Sequence, residues 1–318
     1  MRILLGVIVL AVAALPARAA PVLDGTRDAT YSLRTVQTVD TQFGDNFSEL
    51  DAAWAQIDGG TLYLVLTGNL ESNFNKLNVF IDSIAGGQNT IGPATDEGGT
   101  NPNNDDWAEN YSGVGPSASG NGPGFTFDAG FEADYMLIMR NGFAPGARFD
   151  IDYAVIGGGA GGFEVASDVF GGSLTGSNAN ALPGAGIGVA FDNSNAAGIG
   201  GGTGPANQAA AIAVTTGIEL AIPLSALGNA NPQDIKVSAH VNGSNHDFLS
   251  NQSLGGFPAG QGNLGGDGAG NFNNDVSLID LNNYQNTDQF FTVVPEPTSV
   301  ALAGLAVVGV LGFARRRK

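Results

Sequence analysis

Eight acidic and amide residues crowd the fourteen positions from 96 to 109: Asp96, Glu97, Asn101, Asn103, Asn104, Asp105, Asp106 and Glu109. Closely spaced carboxylates and amides in a glycine-containing loop are the chemistry of Ca2+, which takes six to eight oxygen ligands. The spacing does not follow the Asp-x-Asp-x-Asn-Gly pattern with a distal Glu, and a solvated acidic loop has the same composition, so both readings stand. Trp107 and Tyr111 fall in the same stretch. Aromatic faces cover the apolar side of a pyranose while Asn and Asp bond its hydroxyls; rings that staple the loop down are the alternative. Trp54 lies in a strand pattern and reads as core. Asp267, Asn271, Asn273, Asn274 and Asp275 form a second, poorer oxygen cluster. His240, His246 and Asp247 place imidazole near carboxylate, as a metal or acid–base pair requires, yet no third ligand or nucleophile stands beside them. A hydrolytic carboxylate pair cannot be picked from thirty acids without their separations. Gly157-Gly158-Gly159 opens no helix and precedes no Lys-Ser/Thr, so it is no phosphate cradle.

The last residues carry a different kind of chemistry, that of membrane insertion and processing. Pro295-Glu296-Pro297 is followed by an uncharged run over 298–314 and then by Arg315, Arg316, Arg317 and Lys318. Seventeen residues make a helix of roughly 25 Å, near the lower limit for crossing a hydrocarbon core. Such a helix satisfies its own backbone in lipid, and four cations at its end hold that end on the cytoplasmic side. The Pro-Glu-Pro cannot continue a helix or enter a central strand. It is a stiff peptide at the outer boundary of the membrane, within reach of an enzyme.

This order of parts resembles the PEP-CTERM sorting signal of bacterial envelope proteins. The resemblance implies that an exosortase, a membrane transpeptidase-like enzyme, recognises Pro295, Glu296 and Pro297 and cleaves near them. A plain anchor with an accidental Pro-Glu-Pro is the alternative.

The other end agrees. Arg2, an apolar stretch over 3–15 and the small residues of Ala17-Arg18-Ala19 describe a secretory signal peptide, with signal peptidase cutting after Ala19. The chain therefore divides into a signal peptide (1–19), an ectodomain (20–294) and a sorting signal (295–318).

Composition sets further limits. Without cysteine there is no disulfide framework, Cys metal site or thiol nucleophile. Between residues 20 and 297, 30 acidic side chains face 6 basic ones, a net charge of −24. That excludes a nucleic-acid reader and disfavours anionic membrane surfaces. Charged residues are 13% of the chain and glycines number 49. Both depart from ordinary domains towards turns and loops.

The elements that must position any site are strands. Runs at 33–39, 52–58, 61–67, 76–82, 131–140, 148–156, 187–191, 217–222, 235–241 and 289–294 alternate or are wholly apolar, and Asp58-Gly59-Gly60 predicts a tight hairpin. The run at 61–67 is apolar on both faces and belongs in a sheet centre. The one short helix expected is 224–227. Three segments, 85–130, 157–185 with 193–208, and 250–275, read as long loops, functional or partly mobile. The fold class is all-β: a single antiparallel two-sheet β-sandwich of jelly-roll or Ig-like kind, flanked by a signal helix and a transmembrane helix.

The stretches AAWAQIDGGTLYLVLTGNLE, LNVFIDS, FEADYMLIMR and IELAIPLSALG, with the opening LDGTRDA, are similar to the sandwiches of the DOMON and family-nine carbohydrate-binding-module group. That resemblance implies the fold; heme, bound by some members, has no axial pair here. The expected function is an exported cell-envelope or extracellular-matrix protein. It is anchored in the inner membrane until sorted, and its role is structural, without enzymatic activity. A carbohydrate-binding module holding exopolysaccharide is the alternative, and an extracellular hydrolase a third.

Overall fold

Gly59 and Gly60 both adopt positive φ, +54° and +83°, as a two-residue type I′ hairpin requires. They join β2 (Glu49–Asp58) to β3 (Thr61–Asn69), whose register runs from Asp58↔Thr61 to Glu49↔Asn69. The computed structural model describes residues 20–91, 123–156, 162–272, 276–284 and 287–293, and all thirteen of its strands fall within the compact unit Pro21–Pro295.

The remaining strands are β1 (Ser32–Val36), β4 (Lys76–Asp82), β5 (Tyr135–Phe143), β6 (Ala147–Val155), β7 (Gly162–Ala166), β8 (Gly176–Leu182), β9 (Ile187–Phe191), β10 (Gly217–Pro223), β11 (Lys236–Asn242), β12 (Leu249–Leu254) and β13 (Phe291–Thr292). The first sheet has the order β1-β2-β3-β10-β9-β8; the second has β12-β11-β4-β5-β6-β7, with β13 on β11. Every strand pair is antiparallel. The chain enters the second sheet between β3 and β4 and again between β10 and β11. These two crossings lie side by side, since β3 pairs with β10 and β4 with β11. As expected, β3 is central.

Alternation fills the space between the sheets. Leu62, Leu64 and Leu66 of β3 and Ile218, Leu220 and Ile222 of β10 meet Leu77, Val79 and Ile81 of β4 and Phe149, Ile151 and Tyr153 of β6 in one buried cluster. The opposite faces are also apolar, and each has its own cover. On the second sheet, Phe80, Met136 and Ile138 lie under Phe125, Phe127, Phe131, Phe257, Leu264 and Leu281. Phe80 and Phe127 meet edge to face at 4.8 Å, and Phe125 and Phe127 at 5.0 Å. Thus the described parts of the long loops at 85–130 and 250–275 form a packed aromatic layer, where mobility had been expected. On the first sheet, Trp54 and Val65 lie under Tyr31, with the Arg27 guanidinium 3.9 Å from the Trp54 ring centroid.

Three strands arise where loops were expected, and a short helix follows the loop at 193–208. β7 and β8 fall within 157–185, and β12 overlaps 250–275. β8, GSNANAL, is an edge strand largely open to water, so small polar residues suffice there. β12, LSNQSL, is buried, but its polar side chains are hydrogen-bonded: Ser250 donates to Val241 O, and Asn251 to Asp40 O and Gln261 O. Hydrophobic periodicity cannot find a strand stabilised in that way. The six-residue helix α1 (Gln208–Ala213) is capped by the Asn207 side chain. The turn expected at 224–227 is a 3-10 helix (Leu224–Leu227), closed by Gly228 at φ +68°. Among the described residues no helix is long and apolar enough to cross a membrane; the run at 298–314 and the signal segment lie outside them.

The N-terminal strap over the first sheet is held by one carboxylate. Glu219 of β10 is fully buried. Its Oε2 accepts the backbone N–H of Asp24 and Gly25, both at 2.9 Å, and its Oε1 accepts the Tyr31 hydroxyl. Burial raises the pKa of Glu219 and the hydrogen bonds oppose that rise. Glu219→Ala leaves buried donors unpaired, each costing about 1–3 kcal/mol. It should lower the urea midpoint and release the strap, so that trypsin cuts after Arg27 in the variant and not in the wild type. Identical digests of the two would show that Glu219 does not hold the strap.

Candidate functional site

The residues singled out for sorting and for calcium, Pro295, Glu296, Pro297, Arg315, Arg316, Arg317 and Lys318, with Ala17, Ala19, Asp96, Glu97, Asp105, Asp106, Glu109, Trp107 and Tyr111, lie outside the described residues. Of the second oxygen cluster, Asp267 and Asn271 are described. They satisfy one another: Asp267 Oδ1 accepts the N–H of Ala269 and Asn271, and Oδ2 accepts Asn271 Nδ2 at 2.7 Å. Trp54 is 7% exposed and belongs to the covered outer face of the first sheet. Among the described residues no group of three His, Cys, Asp or Glu side chains could hold a metal ion.

His240 and His246 meet the same neighbour by different routes. His240 pairs with Asn78 in the β11–β4 register, and His246 Nε2 lies 3.0 Å from Asn78 Oδ1. Both rings are fully buried. The Ser238 hydroxyl donates to Gln289 O at 2.6 Å, so His240 Nε2, 2.7 Å from that hydroxyl, must be its donor. His240 is therefore the neutral Nε2–H tautomer, with Nδ1 unpaired beside Phe80 and Phe125. Burial pushes its pKa down to about 3. It is a core residue, closed to a solvent-borne substrate.

A concave site does exist, at the end of the space between the sheets. Tyr135 of β5 and Tyr153 and Val155 of β6 form one wall, Glu164 of β7 and the β8–β9 turn (Gly184, Ala185) another, and the 3-10 helix (Ser225, Ala226) with Gly228 the third, around about 580 Å3. The two tyrosine rings are stacked, with centroids 5.9 Å apart and planes at 11°. The Tyr153 hydroxyl donates to Ala226 O at 2.6 Å. Glu164 accepts the N–H of Gly184 at Oε1 and of Ala185 at Oε2, each at 2.9 Å, which fixes the turn. The Tyr135 hydroxyl makes no hydrogen bond to the described residues and opens into the cleft. Burial raises the pKa of both tyrosines, more strongly for Tyr153, so both remain protonated donors at neutral pH. Sequence reasoning looked for aromatic platforms in loops and missed these. The signal was a tyrosine at an inward position of FEADYMLIMR and another in DIDYAV, where alternation calls for aliphatic side chains.

A second polar focus sits at the start of β2. Its register shifts between Leu50 and Ala52, which makes Asp51 the extra residue of a bulge. Gly68 allows the close approach: a Cβ there would lie 2.2 Å from Glu49 O. Glu49 accepts Asn46 N–H and Asn195 Nδ2, and Asp51 accepts Ile199 N–H at 2.9 Å and Asn195 Nδ2 at 3.3 Å. Burial pushes Glu49 up to about 7 and Asp51, which also faces the Glu49 charge, up to about 8. These carboxyls pin the loops at 44–48 and 193–200 to the sheet.

With the geometry of this all-β, two-sheet body in place, comparison with known proteins adds one finding. Residues 293–318 match the PEP-CTERM protein-sorting motif. The match carries the expected order of Pro-Glu-Pro, apolar run and basic end, and supports an exported surface protein sorted by an exosortase. No curated protein and no solved structure matches the chain, so the similarity to DOMON and family-nine modules stays an expectation.

The shifted carboxyls fix a pH dependence. A carboxyl whose folded pKa exceeds its unfolded value binds more protons folded than unfolded between the two, so stability falls as pH rises through that window. For Glu49 the window runs from 4.5 to about 7, and for Asp51 from 3.8 to about 8; Asp128, raised to about 6, adds in the same sense. The urea midpoint of the purified protein should therefore be higher at pH 5 than at pH 8, and Asp51→Asn should flatten the slope. A wild-type midpoint that is constant or rises over that range would contradict the assignment.

Proposed function

We propose that this chain is an exported cell-envelope or extracellular protein whose body is delivered to the surface through its C-terminal motif and serves there without catalysing a reaction. The motif at residues 293–318 carries the first part of the reading. In it, residues 1–19 are removed by signal peptidase after Ala19, the helix at 298–314 holds the protein in the inner membrane, and Arg315 to Lys318 stop its transfer. An exosortase then acts near Pro295-Glu296-Pro297. The start of the body fits such a cut: Pro21 is already buried, and Asp24 and Gly25 are bonded to Glu219. A structural role for the body draws support from its most perturbed groups. Glu49, Asp51 and Glu219 hold backbone amides of the covering loops, and His240 is sealed in the core. The jelly-roll or Ig-like kinship of the sandwich is part of the same proposal, as is Ca2+ at Asp96, Glu97, Asp105, Asp106 and Glu109.

A second reading, a body that holds exopolysaccharide, draws on the tyrosine-walled cleft at the end of the sandwich.

Glu296 stands between two prolines, just before the apolar run. Glu296→Ala touches neither the body nor the membrane segment. In a host that encodes an exosortase, the variant should accumulate in the membrane fraction with Arg315 to Lys318 attached, while the wild type loses them. The same intact tail in both would reduce the motif to an anchor.

A further inference from the structure

We propose that the cleft bounded by Tyr135, Tyr153, Glu164, Ala185 and Ser225 binds a neutral, polyhydroxylated ligand of one or two sugar units. This deepens the second reading above by giving it a site.

Four observations lead to that ligand class. The volume, about 580 Å3, lies in the range of small-molecule sites. The walls are mostly apolar: two tyrosine rings, Val155, Ala185, Ala226 and two glycines. A ligand therefore needs an apolar face, and the C–H face of a pyranose suits tyrosine rings. The polar groups are few and point to hydroxyls. Tyr135 offers a hydroxyl that opens into the cleft, Ser225 a hydroxyl at the exposed rim, and Glu164 the remaining lone pairs of a carboxylate whose orientation two backbone amides already fix. Finally, among the described residues no lysine or arginine lines the cleft. A phosphate or carboxylate ligand would face Glu164 with no counter-charge. A cationic ligand would gain less than a bare carboxylate promises, because the N–H dipoles of Gly184 and Ala185 already balance Glu164.

The Tyr135 hydroxyl is the most specific of these features. It takes no partner among the described residues, and it opens into the cleft, where a ligand hydroxyl can bond it. Gly228 keeps the approach open: a Cβ at that position would lie 3.1 Å from the Tyr135 hydroxyl.

The test is saturation-transfer NMR and calorimetry on the mature protein, with maltose, cellobiose, lactose and chitobiose as probes and with tetramethylammonium and inorganic phosphate beside them. At least one disaccharide should bind, and neither ion should. Tyr135→Phe, which removes only the hydroxyl, should weaken that disaccharide by about three- to tenfold. Ser225→Trp, which fills the rim from an exposed position, should abolish binding without lowering the melting temperature. No binding by any of the four disaccharides overturns the proposal, as does binding of an ion in their place. Disaccharide binding that survives both variants overturns it as well, because the site is then elsewhere. None of these outcomes depends on the C-terminal motif, so failure here leaves the sorting reading intact.

Discussion

The constraint on which this body depends is that both of its sheets are apolar on both faces. β3 shows it in one strand: Leu62, Leu64 and Leu66 enter the space between the sheets, while Val65 turns the other way beneath Tyr31 and beside Trp54. β4 and β5 repeat it, with Phe80, Met136 and Ile138 facing outward. A two-layer sandwich would leave these side chains in water. The chain answers with two more layers built from segments that carry little regular structure, the N-terminal strap and the long loops. A fully buried phenylalanine contributes about 1.5–3 kcal/mol relative to exposure, and the outer layer of the second sheet buries Phe80, Phe125, Phe127, Phe131 and Phe257. The cover is thus as much a core as the space between the sheets.

Covering layers without strands need other fastenings, and without cysteine none is covalent. Buried carboxylates supply them. Glu219 holds the strap, Glu49 and Asp51 hold the loops beside β2, and Asp128 accepts the Gln289 N–H where the last segment crosses. Each accepts backbone N–H groups that would otherwise be buried and unpaired. The same burial raises the carboxyl pKa values. A chain this acidic therefore places part of its negative charge where protonation relieves it, and its fastenings weaken as pH rises.

How much of this the sequence disclosed followed the kind of signal involved. Strands defined by apolar alternation were legible, β4 and β9 to the residue and the β2–β3 hairpin through its glycine pair. β8 and β12 were not, because an exposed edge strand and a strand satisfied by Ser, Asn and Gln hydrogen bonds carry no apolar period. The aromatic cover was hidden because Phe125, Phe131 and Phe257 are scattered among glycines, and only the folded chain collects them. The cleft was hidden for a related reason: Tyr135 and Tyr153 lie on separate strands, and the turn that Glu164 fixes comes from a third. The sorting motif was fully legible, because its chemistry lies in contiguous residues, Pro295 to Pro297 and the run beyond, and needs no fold to assemble it.

The central claim is that this covered body is carried to the surface and freed by processing at both ends. Intact-mass spectrometry of the wild-type protein recovered from the envelope and medium of an exosortase-bearing host tests it most directly. The account predicts a chain that starts at Ala20 and ends before the basic residues Arg315 to Lys318. A recovered chain that still carries those residues, or begins at Met1, would contradict it.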